Sequence, residues 1–123
     1  MGFANLDDLL AIENKIKWED RDLPSTLFGL LSRTAQSFPN RPAVSYQILS
    51  GPKDKAETLT WSELHKKTVQ AANMFRSLGV GSDDVVAYIL PNANETVLTL
   101  LGGAIAGIAN PINPLLDPEQ IGA

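Results

Sequence analysis

The sequence predicts an α/β protein, a layered sheet with flanking helices. Three observations predict it. Residues 84–90 (Asp-Val-Val-Ala-Tyr-Ile-Leu) form a nearly continuous apolar run closed by Pro91, the pattern of a strand buried on both faces in a parallel sheet. Residues 100–114 read as the end of a tightly packed helix, a short strand and a proline-locked exit, one helix-to-strand step of such a fold. Between residues 60 and 79, a capping signature opens and a glycine closes a stretch with apolar residues at helical spacing.

The elements follow in order. Asn5 is placed to cap a first helix with Leu6, Leu9, Leu10 and Ile16 on one side and Asp7, Asp8, Glu13 and Lys15 elsewhere. Residues 18–22 (Trp-Glu-Asp-Arg-Asp) make a charged connector. After Pro24, Ser25 is a good N-cap for a second helix. There Leu27, Leu30, Leu31, Thr34, Ala35 and Phe38 repeat at spacings of three and four, and Pro39-Asn40 ends it. Residues 43–49 are β-rich with partial alternation, residues 50–57 form a polar loop, and Thr58, Leu59 and Thr60 resume extended structure. Two such neighbours predict an antiparallel pair.

Thr60 and Glu63 fit a reciprocal capping box. The third helix carries Leu64, Thr68, Ala71, Ala72, Phe75 and Leu78 on one face, with Lys66, Lys67, Gln70 and Arg76 mainly towards water. Gly79 supplies its left-handed stop and Val80 the apolar partner. Residues 81–83 turn into the apolar strand. Asn92 or Asn94 caps a fourth helix with Val97, Leu98, Leu100, Leu101, Ile105 and Ile108. Gly102, Gly103, Ala104, Ala106 and Gly107 leave part of that helix bare, so a neighbouring backbone approaches closely. Residues 109–112 form the next strand. Asp117-Pro118-Glu119-Gln120 starts another helix, followed by three residues; a costly nucleus with so little behind it reads as a chain that stops inside an element.

Composition narrows the function. With 123 residues, 44% hydrophobic and 20% charged, the chain has the balance of a soluble domain with its own core. Its net charge of -4 repels phosphate backbones, which argues against nucleic acid as a partner. The absence of cysteine rules out disulfides, thiol catalysis and Cys-ligated zinc, and suits a reducing cytoplasm. Residues 1–3 carry no positive charge and Asp7, Asp8 and Glu13 interrupt any apolar region, so no signal peptide is expected. The apolar stretch 97–112 is short for a bilayer span and is broken by Thr99, Asn110 and Pro111, so no transmembrane segment is expected either.

No segment reads as an active site. Gly102-Gly103-Ala104-Ile105-Ala106-Gly107 departs from the dinucleotide fingerprint, which needs G-x-G-x-x-G at a helix start; here the glycines close a helix, as packing requires. Asn94-Glu95-Thr96 matches a glycosylation sequon by chance, given its helical setting. His65, the lone histidine, has no ligand cluster at metal spacing and reads as a solvated helix residue. The pairs Asp7/Asp8, Glu19/Asp20 and Asp83/Asp84 sit at helix starts or turns, where carboxylates favour the dipole or the turn. Catalytic, cofactor-binding and metal-binding residues are therefore expected to be none.

From Leu23 to Gln120 the chain resembles the N-terminal region of adenylate-forming enzymes, the superfamily of acyl-CoA synthetases, luciferases and peptide-synthetase adenylation domains. Thr26-Leu27 with Pro39-Asn40-Arg41-Pro42-Ala43-Val44 resembles the opening helix and first strand of that family. Residues 59–64 (Leu-Thr-Trp-Ser-Glu-Leu) resemble its L-T-Y-x-E-L signature with Trp for Tyr. Residues 78–87 resemble L-G-V-x-x-G-D-x-V-A, with Ser82-Asp83 for the usual Gly-Asp. Leu90-Pro91-Asn92 with Glu95 resembles L-P-N-x-x-E, and residues 102–114 the next motif, where Asn110-Pro111-Ile112-Asn113-Pro114 leans towards acyl-CoA synthetases. The resemblance is nearest to a bacterial fatty-acyl-CoA synthetase.

The resemblance implies an N-terminal helical extension over residues 1–22 and the front of an AMP-binding domain over 23–123. For a complete enzyme it implies ATP, magnesium and coenzyme A, with acyl-adenylate as the intermediate. The family's phosphate loop, magnesium-associated Glu, ribose-binding Asp and catalytic Lys match no position here, so none is assigned to this chain. The expectation is an N-terminal fragment of a fatty acid–CoA ligase, inactive alone; the alternative is a stand-alone binding or assembly module derived from that fold. Its expected partners are the remainder of its own polypeptide and a second copy, paired through a sheet edge left open.

Overall fold

The computed structural model describes residues 5–49 and 51–122. It is a mixed α/β structure of helices and two small sheets. The helices are α1 (Leu6–Glu13), α2 (Leu27–Ser37), α3 (Trp61–Ser77), α4 (Asn94–Ala106) and α5 (Pro118–Ile121), with a 3-10 turn at Trp18–Asp20. The strands are β1 (Pro42–Tyr46), β2 (Glu57–Thr60), β3 (Val85–Tyr88) and β4 (Ile108–Pro111).

Helices α1, α2, α3 and α5 each begin where a side chain satisfies one of the first amides. Asn5 Oδ1 accepts from the Asp8 amide at 2.9 Å, as expected. The expected cap Ser25 is displaced by one residue: Thr26 holds the extended conformation, and its hydroxyl accepts from the Gly29 amide at 3.0 Å. On α3 the box is complete, since Thr60 Oγ1 accepts from Glu63 N–H while Glu63 Oε2 accepts from Thr60 N–H at 2.9 Å. Gly79 (φ 93°) ends α3 in a Schellman turn, the Val80 amide reaching the Phe75 carbonyl at 3.1 Å and the Gly79 amide that of Arg76 at 3.0 Å. Asp117 and Gln120 close a second capping box on α5.

Several expectations are corrected. Ile16 lies beyond the end of α1, which buries no residue. Phe38 is the exposed C-cap of α2, with the Arg41 guanidinium 4.7 Å from its ring centroid. The first strand stops at Tyr46; beyond it the Gln47 side-chain Nε2 donates to the Gly51 and Asp54 carbonyls, and Ile48 and Leu49 are exposed. Neither Asn92 nor Asn94 caps α4. Ala93 stands at the cap without a side-chain bond, and Thr96 Oγ1 donates to the Pro91 carbonyl instead.

The sheet is two ladders of two strands. β1 pairs antiparallel with β2, as expected, with an irregularity between Pro42 and Val44. β3 pairs in parallel with β4, one residue earlier than expected, from Val85↔Ile108 to Tyr88↔Pro111. The run 84–90 is covered on one face only. Val86 packs against α4 at Gly103, whereas Val85 (53% exposed) and Ile89 (49%) face outwards with Ile108 (50%). The core lies where α3 crosses α4 and meets α2, around Leu31, Ala35, Leu59, Leu64, Thr68, Ala72 and Ala106.

Candidate functional site

Gly102 within α4 and Gly107 at its C-cap allow close backbone approach. A Cβ on Gly102 would stand 2.7 Å from the Ala71 Cβ and 3.1 Å from the Ala72 amide nitrogen. One on Gly107 would stand 2.5 Å from the Asp84 carbonyl and 2.6 Å from that of Gly81. The glycine run is a packing device, in the place where sequence spacing put it.

Two side chains singled out in the sequence have structural partners. His65 is not a fully solvated residue. It is half-buried between α3 and α2, with Nε2 2.9 Å from Ser32 Oγ and its ring 5.7 Å from that of Phe28. Asn94 is 2% exposed, and its Nδ2 donates to the Glu57 carbonyl at 3.2 Å, tying α4 to β2. An amide so enclosed is inaccessible as a glycan acceptor in this fold. The only hint of either role was position: His65 and Asn94 flank the apolar stripes of their helices.

The acidic pairs are dispersed. Asp84 Oδ2 accepts from the Gly81 amide at 2.7 Å and shapes the turn into β3. Asp7 and Asp8 lie in the first turn of α1, and Glu19 and Asp20 in the 3-10 turn. Among the described residues no three His, Asp or Glu side chains converge to hold a metal ion. Glu63 is held below the usual carboxylate range, first by the Thr60 backbone N–H and then by the Thr60 hydroxyl. Burial raises the Tyr88 phenol above its ordinary value.

Two concavities stand out among the described residues. A trough of about 410 Å³ lies between the start of α2, α3 and α4. Leu27, Phe28, Val69 and Ile105 form its apolar walls, and Arg76 stands at its rim. A shallower recess of about 240 Å³ separates β1 from the start of α4, beside Tyr46, Asn94 and Val97. Neither is lined by a carboxylate, and only Arg76 brings a positive charge. These residues do not fit a magnesium–nucleotide complex, so no step of ATP chemistry is assigned to them.

The sequence profile described as "AMP-binding enzyme" matches residues 31–123. The chain belongs to the family of AMP-binding enzymes. It is 33% identical over 117 residues to marinolic acid–CoA ligase of Pseudoalteromonas sp. (strain SANK 73390), an alignment covering 95% of this chain and 18% of that one. The N-terminal subdomain of Klebsiella oxytoca NpsA superposes with a TM-score of 0.67 at 19% identity, covering 79% of this chain and 24% of that one. A Mycobacterium tuberculosis fatty acyl CoA synthetase gives 0.64 at 23% identity, covering 78% and 18%. Both structural likenesses establish the fold. The family member described here spans less than a fifth of the length of the CoA ligase that it matches.

Proposed function

We propose that this chain is the opening scaffold of an adenylate-forming ligase that joins a fatty acid to coenzyme A, and that the chain alone is catalytically inert. The observation supporting the reading is the family match across residues 31–123, in a segment whose motifs serve as caps, turns and packing surfaces. The substrate class rests on the CoA ligase and fatty acyl CoA synthetase named among its relatives. In the complete reaction, a fatty carboxylate attacks the α-phosphate of ATP, giving an acyl-adenylate and pyrophosphate. The thiol of coenzyme A then displaces AMP. ATP, magnesium and coenzyme A belong to that complete reaction, which proceeds in the cytoplasm, where ATP and coenzyme A are supplied.

This scaffold's own contribution is mechanical. The α3–α4 seam fixes the β3–β4 ladder, and the exposed ladder face is the docking face for the remainder of the domain. ATP–pyrophosphate exchange tests both parts of the reading. The purified chain is expected to catalyse no exchange with a medium-chain fatty acid; exchange above background would show that it is not inert. Replacing the matching front segment of the Mycobacterium tuberculosis synthetase with this chain is expected to preserve exchange. A folded but inactive chimera would overturn the scaffold role.

A further inference from the structure

The trough between α2, α3 and α4 combines an apolar lining with hydrogen-bond donors. From the start of α2, Leu27 (36% exposed) and Phe28 (45%) line it and leave apolar surface in water. Its polar side chains are Thr26, Asn73 and Arg76. Arg76 donates one N–H to the Ile105 carbonyl at 3.2 Å, which steadies the guanidinium against α4 and leaves further N–H groups to bond elsewhere. Among the described residues no carboxylate stands at ion-pair distance from it. Asn73, one turn earlier on α3, adds an exposed amide. The Thr26 oxygen already accepts from the Gly29 amide at 3.0 Å, so its hydroxyl proton is what it offers a ligand. The volume of about 410 Å³ falls in the range of small-molecule sites, about 300–1,000 Å³.

From apolar walls joined to one unpaired guanidinium, we propose that this trough binds a small amphiphilic monocarboxylate, its apolar body along Phe28 and Ile105 and its carboxylate on Arg76 and Asn73. The head group is a carboxylate because the planar guanidinium takes one through two parallel bonds. It carries one charge because the trough supplies one cation; the second charge of a phosphate monoester would meet a chain of net charge -4. The site lies apart from the open face of the ladder. Val86 packs on α4, which also lines the trough, while Val85, Ile89 and Ile108 face the other way. No nucleophile or acid–base pair lines the trough, so the ligand is held there and not turned over. The site stands whether or not the chain is the scaffold of a ligase.

Octanoate is the probe, titrated into the full chain below its micelle-forming concentration and followed by the amide resonances. It is expected to shift Val69, Asn73, Ala104 and Ile105 saturably and to leave Val85 and Ile108 in place. Octanol has the same tail without the charge, and acetate the head without the tail; each is expected to bind about tenfold more weakly, the worth of one charge-assisted bond or of a few buried methylenes. Arg76→Gln is expected to weaken octanoate about tenfold. So is Asn73→Glu, which sets a competing carboxylate one turn from Arg76 and keeps the fold, because the position is exposed and Glu suits a helix. Any one of four results would overturn the proposal: no saturable shift, shifts centred on Val85 and Ile108, octanol or octyl phosphate binding as tightly as octanoate, or an affinity that Asn73→Glu leaves unchanged.

Discussion

At the scale of single residues, steric contact decides more than chemistry. A Cβ on Gly102 would stand 2.7 Å from the Ala71 Cβ, a distance real Cβ atoms essentially never show, with the α3 backbone tight against it at 3.1 Å, so no flexible side chain can move aside. Gly102→Ala is therefore expected to cost about 1–3 kcal/mol, read from the shift in urea midpoint at unchanged slope. Ala71→Gly in the same chain should return part of it by removing the atom struck. Glu63 gives a pH signature instead. Its folded-state pKa is depressed by the Thr60 bonds, so its contribution is present above the unfolded value of about 4.3 and is lost as pH falls through the folded value. Wild type should melt above Glu63→Gln at neutral pH, with the gap closing in strong acid. A gap that widened on acidification would show that the carboxylate is not the stabilising form.

At the scale of elements, the caps, stops and parallel step were legible because their causes are local. Thr60 with Glu63, Gly79 with Val80 and Asp117 with Gln120 each complete their bonds within a few residues, so spacing alone reveals them. What spacing could not show is where a side chain finds a better distant partner. Asn94 forgoes capping α4 because the Glu57 carbonyl lies within reach of its amide, and His65 turns inwards because Ser32 and Phe28 arrive from α2. The candidate site was less legible for the same reason: Arg76 stands at a rim made by three separate helices. The Asn94 tie also yields a test. Asn94→Asp would place a carboxylate at a buried position and remove the donor to Glu57, so its destabilisation should exceed that of Asn94→Ala and grow as pH rises through the raised carboxyl pKa. Thermal melts of both variants across the acid range would check this; equal losses at every pH would mean that the charge is not buried.

At the scale of the whole molecule, the parallel ladder is the anomaly. Parallel strands belong in sheets covered on both faces, yet here α4 covers one face while Val85, Ile89 and Ile108 leave the other half-exposed. The continuous apolar run predicted burial on both faces because it records a preference for burial and not which elements supply the cover, and α4 supplies it on the Val86 face alone. From this half-exposed apolar face we expect the chain to pair with a second copy as concentration rises, closing at two copies. Val85→Lys with Ile108→Lys, both at half-exposed positions, should hold it as a monomer. Sedimentation velocity checks this: a wild-type chain that stays monomeric, or a doubly substituted chain that still dimerises, would mean that the ladder face does not associate.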